Sequence, residues 1–596
     1  YHPAEYLERL REKVGDVYIT VEKILQLQEE MPTKWQTEGT SGYEFLNYLN
    51  GVFCQSQHES EFQTIYTRFT GTYASYEQLV ATNKHLIIEK NLGGDVDNLA
   101  QRLKSLSGQT RQGVDFTAYG LKRSLSEVLA LFPVYRTYIA SDQVSDADRA
   151  YIQTAIAQAK EQIPLLVNEL NYIEKILLRH DEAWLTEEQK EERLHFVMKF
   201  QQLTGPLMAK GVEDTTLYIY NRLLSLNEVG GNPSHFGITL EKFHHFNRKK
   251  CDRWLHSMNA SATHDTKRGE DVRARLNVLS EMPSEWEKQV QRWAEINRDK
   301  KQAIKGKSIP DRNDEYFFYQ TLVGAFPFAE ADTVEFRDRV RDYIIKAIRE
   351  ANVHTAWLRP DSTYEDGYLE FVDQLLTFEI ENEFLQAFRP FQKQIASYGI
   401  FNSLSQVLLK NTAPGVPDLY QGCELWDLSL VDPDNRRPVD YDQRQAYLQD
   451  IQAGIASDCL SLIKDLLATK EDGRVKLFLT HQVLQARQHY QMLFQQGDYQ
   501  ALEVSGVWAD HVIAFARTFE GQVAIAIAPR FLTHVVQPNQ LPLNHSIWRD
   551  TQIILPSTMP VSWINAITQQ PLSSETEIKV GEALKQFPVA LFISQN

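Results

Sequence analysis

The sequence is short of everything that would staple or anchor it. Its 596 residues include four cysteines, Cys54, Cys251, Cys423 and Cys459, far apart and without a CxxC pair. That spacing argues against a disulfide framework or a structural zinc site, and fits isolated core residues in a reducing cytoplasm. No apolar run approaches the ~18 residues of a membrane span; the longest tight one, Val523 to Ala528, is strand-sized. Positive charge is in deficit too, since 62 basic and 79 acidic residues leave 62 − 79 = −17. That is the wrong sign for holding nucleic acid by its phosphates or for sitting on anionic lipid. GxGxxG, GxxxxGK[ST], HExxH and G-x-S-x-G do not occur, so the usual signatures of nucleotide, zinc-hydrolase and serine-hydrolase chemistry are missing. His244 and His245 are adjacent rather than four apart, and no metal or cofactor is assigned. The chain opens Tyr1-His2-Pro3 with no methionine and no basic-then-apolar leader, as expected of a processed chain or an internal fragment.

What is present is an ordinary globular composition, 43% hydrophobic, long enough to hide roughly three quarters of its unfolded surface. In Val17 to Glu22 the odd positions are branched and apolar and the even ones polar, which predicts a strand with one packed and one polar face. A parallel barrel strand and a surface edge strand fit this alternation equally. Gly39 to Tyr43 reads as a loop before a helical run through Phe45, Leu46 and Leu49. From about Glu61 to Leu203 apolar residues recur at three and four spacing, with Ser145 a cap and Ile163-Pro164 a stop. Strand-like sequence returns at Leu255 to Thr263, then a charged helical block, then Leu404 to Leu409, helical or extended. Pro414 to Gly422 is a shaped loop around a short strand. After Ala501 short alternating runs, Val512 to Ala516, Gln522 to Ala528, Ile553 to Leu555 and Val589 to Ile593, indicate an antiparallel β domain.

Two acids stand out. Glu22 ends a strand with apolar neighbours, surroundings that raise a carboxyl pKa as a general acid requires. Asp265 ends another strand-like run, with His264 before it and Lys267 and Arg268 after it. Cations nearby would keep it ionised, suited to stabilising positive charge; a plain surface ion pair with Lys267 or Arg268 fits the same residues. One acid protonated and one not is the arrangement of glycosidic chemistry.

Tyr18 to Leu25 (YITVEKIL), Lys210 to Thr215 (KGVEDT), Thr263 to Asp271 (THDTKRGED) and Pro414 to Gly422 (PGVPDLYQG) together resemble the maltooligosyl trehalose synthases, a branch of the α-amylase family. So do Phe132 to Tyr138 (FPVYRTY), Asn313 to Gln320 (NDEYFFYQ) and Asp432 to Tyr441 (DPDNRRPVDY). The resemblance implies an α/β fold: a partial (β/α)₈ TIM barrel with large helical insertions and a C-terminal antiparallel β-sandwich. On it, 1–60 is a barrel segment with the fifth strand, 61–203 a helical insertion and 204–283 a barrel segment with the seventh strand. A second insertion follows at 284–400, then the last strand with its helices at 401–500 and the β domain at 501–596.

The implied activity is that of a glucosylmutase, an intramolecular transferase. It turns the reducing-end α-1,4 bond of a maltooligosaccharide into an α,α-1,1 bond, in trehalose biosynthesis. An α-glucan hydrolase of the same superfamily and a non-catalytic glucan-binding fragment are the alternatives. By the same resemblance Glu22 is the acid/base, Asp265 stabilises the transition state and His264 contacts the sugar. Tyr43, Lys210, Glu213, Asp214, Lys267 and Arg268 are expected around the substrate, Lys210 to Thr215 as a loop. The family's nucleophilic aspartate lies a little over twenty residues before the glutamate. Only 21 residues precede Glu22, and their aspartate, Asp16, directly precedes the glutamate's own strand. The chain is therefore expected to be a C-terminal portion, inactive alone, with a maltooligosyl trehalose hydrolase as functional partner.

Overall fold

The computed structural model describes residues 2–110, 113–304, 306–329, 332–379 and 381–595; Tyr1 lies outside them. The architecture mixes helix and sheet, and what positions the chemistry is a set of very short parallel strands. Of the expected strand from Val17 to Glu22 only Thr20–Val21 pairs, in parallel with Gly39–Thr40. Residues 39–43 are therefore not simply a loop: they supply the second strand and open the Tyr43–Gly51 helix. Glycine makes this possible. A Cβ on Gly39 would lie 2.3 Å from Ser257 Cβ, and one on Gly42, whose φ is +92°, would lie 2.6 Å from the Met258 carbonyl oxygen. Across that contact the Thr40 N–H donates to Ser257 Oγ at 3.0 Å. The third strand, Met258–Asn259, pairs in parallel with the fourth, Val416–Pro417. Leu255 to Thr263 thus gives two paired residues rather than a long strand, and Asp265 does not end one.

The two-residue period keeps its sides even so. Ile19 and Val21 pack on Leu7, Leu25, Met31 and Trp35, whereas Thr20 Oγ1 meets Met258 Sδ at 3.8 Å on the other side. Val17 remains 51% exposed, because pairing begins only at Thr20.

Residues 59 to 208 are mostly helical, from Glu59–Thr70 to Glu187–Met208. Ser145 accepts from the Asp148 N–H at 3.1 Å and caps Asp146–Gln162, which ends before Ile163-Pro164. This block has its own core, including Leu121, Leu125, Ile152, Ile156, Ile173 and Phe200. Burying each such side chain contributes about 1.5–3 kcal/mol. In the second helical block an antiparallel hairpin, Gln302–Ile304 with Lys307–Ile309, interrupts the helices.

Leu404 to Leu409 resolves as helix, inside Glu383–Thr412, a helix of 30 residues. From Ile395 to Thr412 every residue is buried, which marks a helix enclosed on all sides. Asn402 Nδ2 donates to the Ala274 carbonyl of the Glu270–Leu279 helix on one side. Ser405 Oγ donates to the Pro529 carbonyl and the Tyr398 hydroxyl to that of Val536 on another.

Pro529 closes a strand of the C-terminal region, which holds two antiparallel sheets. The larger runs in the order 571–573, 562–565, 590–594, 522–529, 512–519, 498–501, and the smaller 577–579, 552–554, 504–505. Residues 512–517 and 523–529 are buried without alternation, because this sheet packs against the Glu383–Thr412 helix. Among the described residues no helix is long and apolar enough to cross a membrane.

One contact between the helical core and the β region is titratable. Glu281, 4% exposed, accepts from the Thr533 N–H at 3.0 Å and its hydroxyl at 2.8 Å. Burial pushes its carboxyl up to about 7, against the opposing pull of those bonds and of Arg530. The unfolded chain releases this proton near 4.5 and the folded chain near 7. Folding therefore binds the proton in that window, and stability falls as pH rises through it. Glu281→Gln should lie close to the parent in stability at pH 5 and exceed it by on the order of 3 kcal/mol at pH 8. Thermal melts of both proteins across this range measure it; parallel curves would remove Glu281 as the cause.

Candidate active site

Glu22 follows directly on the first strand, with its side chain on the Thr20 side, away from the packed face. The apolar enclosure expected for it is not found: its side chain is 56% exposed, because even positions of this strand face the open side. It is held by a relay instead. The Thr263 hydroxyl donates to the Tyr43 oxygen at 3.1 Å, and the Tyr43 hydroxyl donates to Glu22 Oε1 at 3.3 Å. His264 Nε2 stands 3.9 Å from the same oxygen. Tyr43 is itself buried, and burial together with the Glu22, Asp265 and Glu228 carboxylates raises its pKa well above the ordinary phenol value. Three acids from distant parts of the chain thus surround one hydroxyl.

Asp265 sits in a turn, where its N–H donates to Thr263 Oγ1 at 3.1 Å and the Thr266 hydroxyl donates to the Thr263 carbonyl at 3.0 Å. Asn435 Nδ2 bonds the Thr263 and His264 carbonyls at 3.3 and 3.2 Å. Nearby cations do not set the direction of the shift at Asp265. Burial raises its pKa, Asp214 and Glu228 add to the rise, and Lys267 offsets only part of it. Arg268 cannot help, because it points inward. It is 2% exposed and donates to the Asn227 carbonyl at 3.1 Å and the Tyr343 hydroxyl at 3.2 Å. It braces the fold and does not face the cleft, as had been expected of it.

Lys210 to Thr215 is not a loop. The Glu187–Met208 helix widens into a π-helical stretch, Ala209–Thr216, in which the Thr216 hydroxyl donates five residues back to the Gly211 carbonyl. Such widened turns recur at functional sites. Here it directs Glu213 and Asp214 at Lys267. Lys267 Nζ lies 3.1 Å from Asp214 Oδ1, and Lys210 Nζ lies 2.6 Å from Oδ2, its side chain 59% exposed. Burial works against the charge on Lys267, but Tyr218, Asp214, Glu213 and Asp265 hold its pKa above the ordinary value. Burial acts on Asp214 too and is outweighed by Lys267 and Lys210, leaving it below the usual range. Glu213 is different. Burial pushes it up to about 7, although Lys267 and the Gly230 N–H, 2.9 Å away, favour its charge.

The residue that sequence reasoning missed is Glu228. Its carboxylate accepts from the Lys267 N–H at 2.6 Å, the Arg268 N–H at 3.4 Å and Arg273 Nη1 at 2.9 Å, with a side chain 0% exposed. An acid inside the apolar run LLSLNEVGG is the signal that marks it, since such a group must find donors.

No metal was assigned from the sequence. Among the described residues Asp311, Asp314 and His354 bring three possible ligand atoms within 4.8 Å of one another. These atoms already serve each other. Asp311 accepts from the Asp314 N–H at 2.8 Å and pairs with His354 Nε2 at 2.7 Å, and Asp314 accepts from the Tyr364 hydroxyl at 2.5 Å. The group is a helix cap tied to a neighbouring loop.

No family model matches the chain. A curated protein of Mycobacterium tuberculosis, described as a putative maltooligosyl trehalose synthase, is 30% identical over 595 residues, spanning 100% of this chain and 68% of its own. Among solved structures, maltooligosyltrehalose synthase from Arthrobacter ramosus matches with a TM-score of 0.81 at 30% identity, over 100% of this chain and 68% of that one. A hypothetical maltooligosyl trehalose synthase of Sulfolobus tokodaii matches with a TM-score of 0.71 at 29% identity, with the same coverage.

Truncating one partner of a buried ion pair leaves an uncompensated charge. Glu228→Gln should therefore cost about 3–5 kcal/mol through Arg273, measured by denaturant unfolding. A loss under 1 kcal/mol would mean that the turn is held by other bonds.

Proposed function

The chain belongs to the maltooligosyl trehalose synthase family, and from that premise we propose that it carries the acid/base and charge-stabilising groups of an intramolecular transglycosylation on maltooligosaccharides. What supports this reading is the relay that joins Glu22 through Tyr43 to Thr263, next to His264 and Asp265. It brings together residues 241 positions apart (263 − 22) in segments that follow short parallel strands, the side on which barrel enzymes keep their chemistry.

In the proposed mechanism Glu22 gives its proton to the O4 of the reducing-end glucose. A retaining path needs a nucleophilic carboxylate about 5–5.5 Å away. Asp16, exposed and before the strand, does not fill that place, and the nucleophile is taken to come from sequence outside these residues. Asp265 steadies the oxocarbenium-like charge, and Lys267 supports its ionised form. The freed glucose turns and attacks the intermediate through its own C1 hydroxyl, with Glu22 now the base. Holding that glucose in place is worth up to about 7–11 kcal/mol of barrier in favourable cases. His264 and the Lys210–Asp214–Lys267 bridge offer donors and acceptors for its hydroxyls, and excluding water there decides between rearrangement and hydrolysis.

The finer fold reading goes with this proposal. The four parallel strands are the last four of a (β/α)₈ barrel, and the two C-terminal sheets form its β-sandwich. A cytoplasmic setting is supported by four free cysteines. Use of the product by a maltooligosyl trehalose hydrolase is the proposed functional coupling.

In the full-length protein, maltopentaose should lose its reducing end without releasing glucose, and the α,α-1,1 linkage should appear by NMR. Glucose or free trehalose as the main product would establish a hydrolase. Glu22→Gln is expected to abolish turnover while calorimetry still detects oligosaccharide binding; an unchanged kcat would remove Glu22 from the mechanism. Asp265→Asn should slow the reaction by about 10²–10³-fold. A lower melting temperature at normal rate would make Asp265 a structural ion-pair member.

A further inference from the structure

Parallel strands are usually joined through a helix that packs on them. The crossover between Thr20–Val21 and Gly39–Thr40 contains no helix, and it leaves a cavity of about 590 Å³ against Thr40 of the second strand and Ser257, just ahead of the third. That volume is within the range of small-molecule sites, about 300–1,000 Å³. The cavity lies among the crossover, the Tyr43–Gly51 helix and the Leu240–Arg253 helix. It is none of the groups around Asp265, and nothing in the proposed reaction uses it.

Its walls combine three features. Tyr48 and Phe246 form a stacked pair, with centroids 4.1 Å apart and rings inclined by 10°. Glu44 spends one carboxylate oxygen on the Thr40 hydroxyl at 2.5 Å, while the other, Oε2, is buried with no hydrogen-bond partner among the described residues. Lys250 is buried too and directs its ammonium at the Met258 carbonyl, 3.0 Å away, and at Asn259 Oδ1. A buried carboxylate oxygen without a donor is unfavourable, and a ligand with hydroxyl donors would remove that cost.

We propose that this cavity is a second saccharide site, taking a glucose unit through stacking on the Tyr48–Phe246 wall and hydroxyl donation to Glu44 Oε2. A pyranose offers what these walls lack: an apolar C–H face and hydroxyls that both donate and accept. The choice of sugar rests on the family reading above. The site also adjoins the reaction centre through the chain itself, because Glu44 follows Tyr43, whose hydroxyl holds Glu22.

Calorimetric titration of the protein with maltose, and separately with glucose and trehalose, tests the proposal. At least one of the three should reveal two classes of site. Glu44→Gln and Tyr48→Ala should each weaken one class tenfold or more and leave the other intact. Should Tyr48→Ala fail to fold, His245→Trp, a substitution at an exposed cavity residue, should block the same class by occupancy. A single class of binding, or two classes indifferent to all three variants, would overturn the site. If the proposed reaction alone is wrong, the Glu44-sensitive binding persists while the full-length protein makes no α,α-1,1 product. If the site alone is wrong, product forms while the variants bind as the parent does.

Discussion

The buried carboxylate of Glu228 is the constraint on which the candidate site depends. Taken out of water, it must be met by donors, and it finds two backbone N–H groups of the 263–271 turn and the guanidinium of Arg273. Few conformations of that turn satisfy all of them, so the demand for donors specifies the turn. The rest of the motif is neutralised in the same way. Lys267 pairs with Asp214, Glu270 and Asp271 share Lys476, and Arg273 also reaches the Ser261 carbonyl. His264 and Asp265 are what remains facing outward.

Around them carboxylates and cations are interleaved. Asp265 feels Asp214 and Glu228, and Glu213 is held near neutrality by burial. Lys267 is shared among Asp214, Glu213 and Asp265, so the ionisation of any one acid depends on the others. Burial thus shifts Asp265 and Glu213 in the same direction, upward. Glu22 differs in being exposed and held by a hydrogen-bond relay.

These groups come from parts of the molecule with separate cores. The helical block packs on its own apolar cluster and projects the π-helical turn, while the strands supply Glu22 and lead into the 263–271 turn. The Glu383–Thr412 helix, enclosed along its second half, ties the Glu270–Leu279 helix to the C-terminal sheet. The helix-free crossover is the counterpart of this density. It leaves room beside Glu44 where a crossover helix would otherwise pack.

Much was legible beforehand. The Ser145 cap, the Ile163-Pro164 stop and the sidedness of Ile19 and Val21 follow from local rules, because each depends on residues within one turn or one strand. The runs Val512 to Ala516 and Gln522 to Ala528 were visible as strands of an antiparallel domain, and they lie in the paired strands 512–519 and 522–529. Family motifs supplied Glu22, His264 and Asp265 as candidates. What local pattern could not carry was long range. Strands of two residues leave almost no periodic trace, a π-helical turn has the composition of a loop, and Arg268 reads like Lys267 until one turns inward. Sequence by itself determined the long helical blocks, which residues are apolar and which acids were worth attention. Tertiary structure decided which charges are buried, and so which of them are shifted, because desolvation belongs to the surroundings of a group and not to its neighbours in the chain.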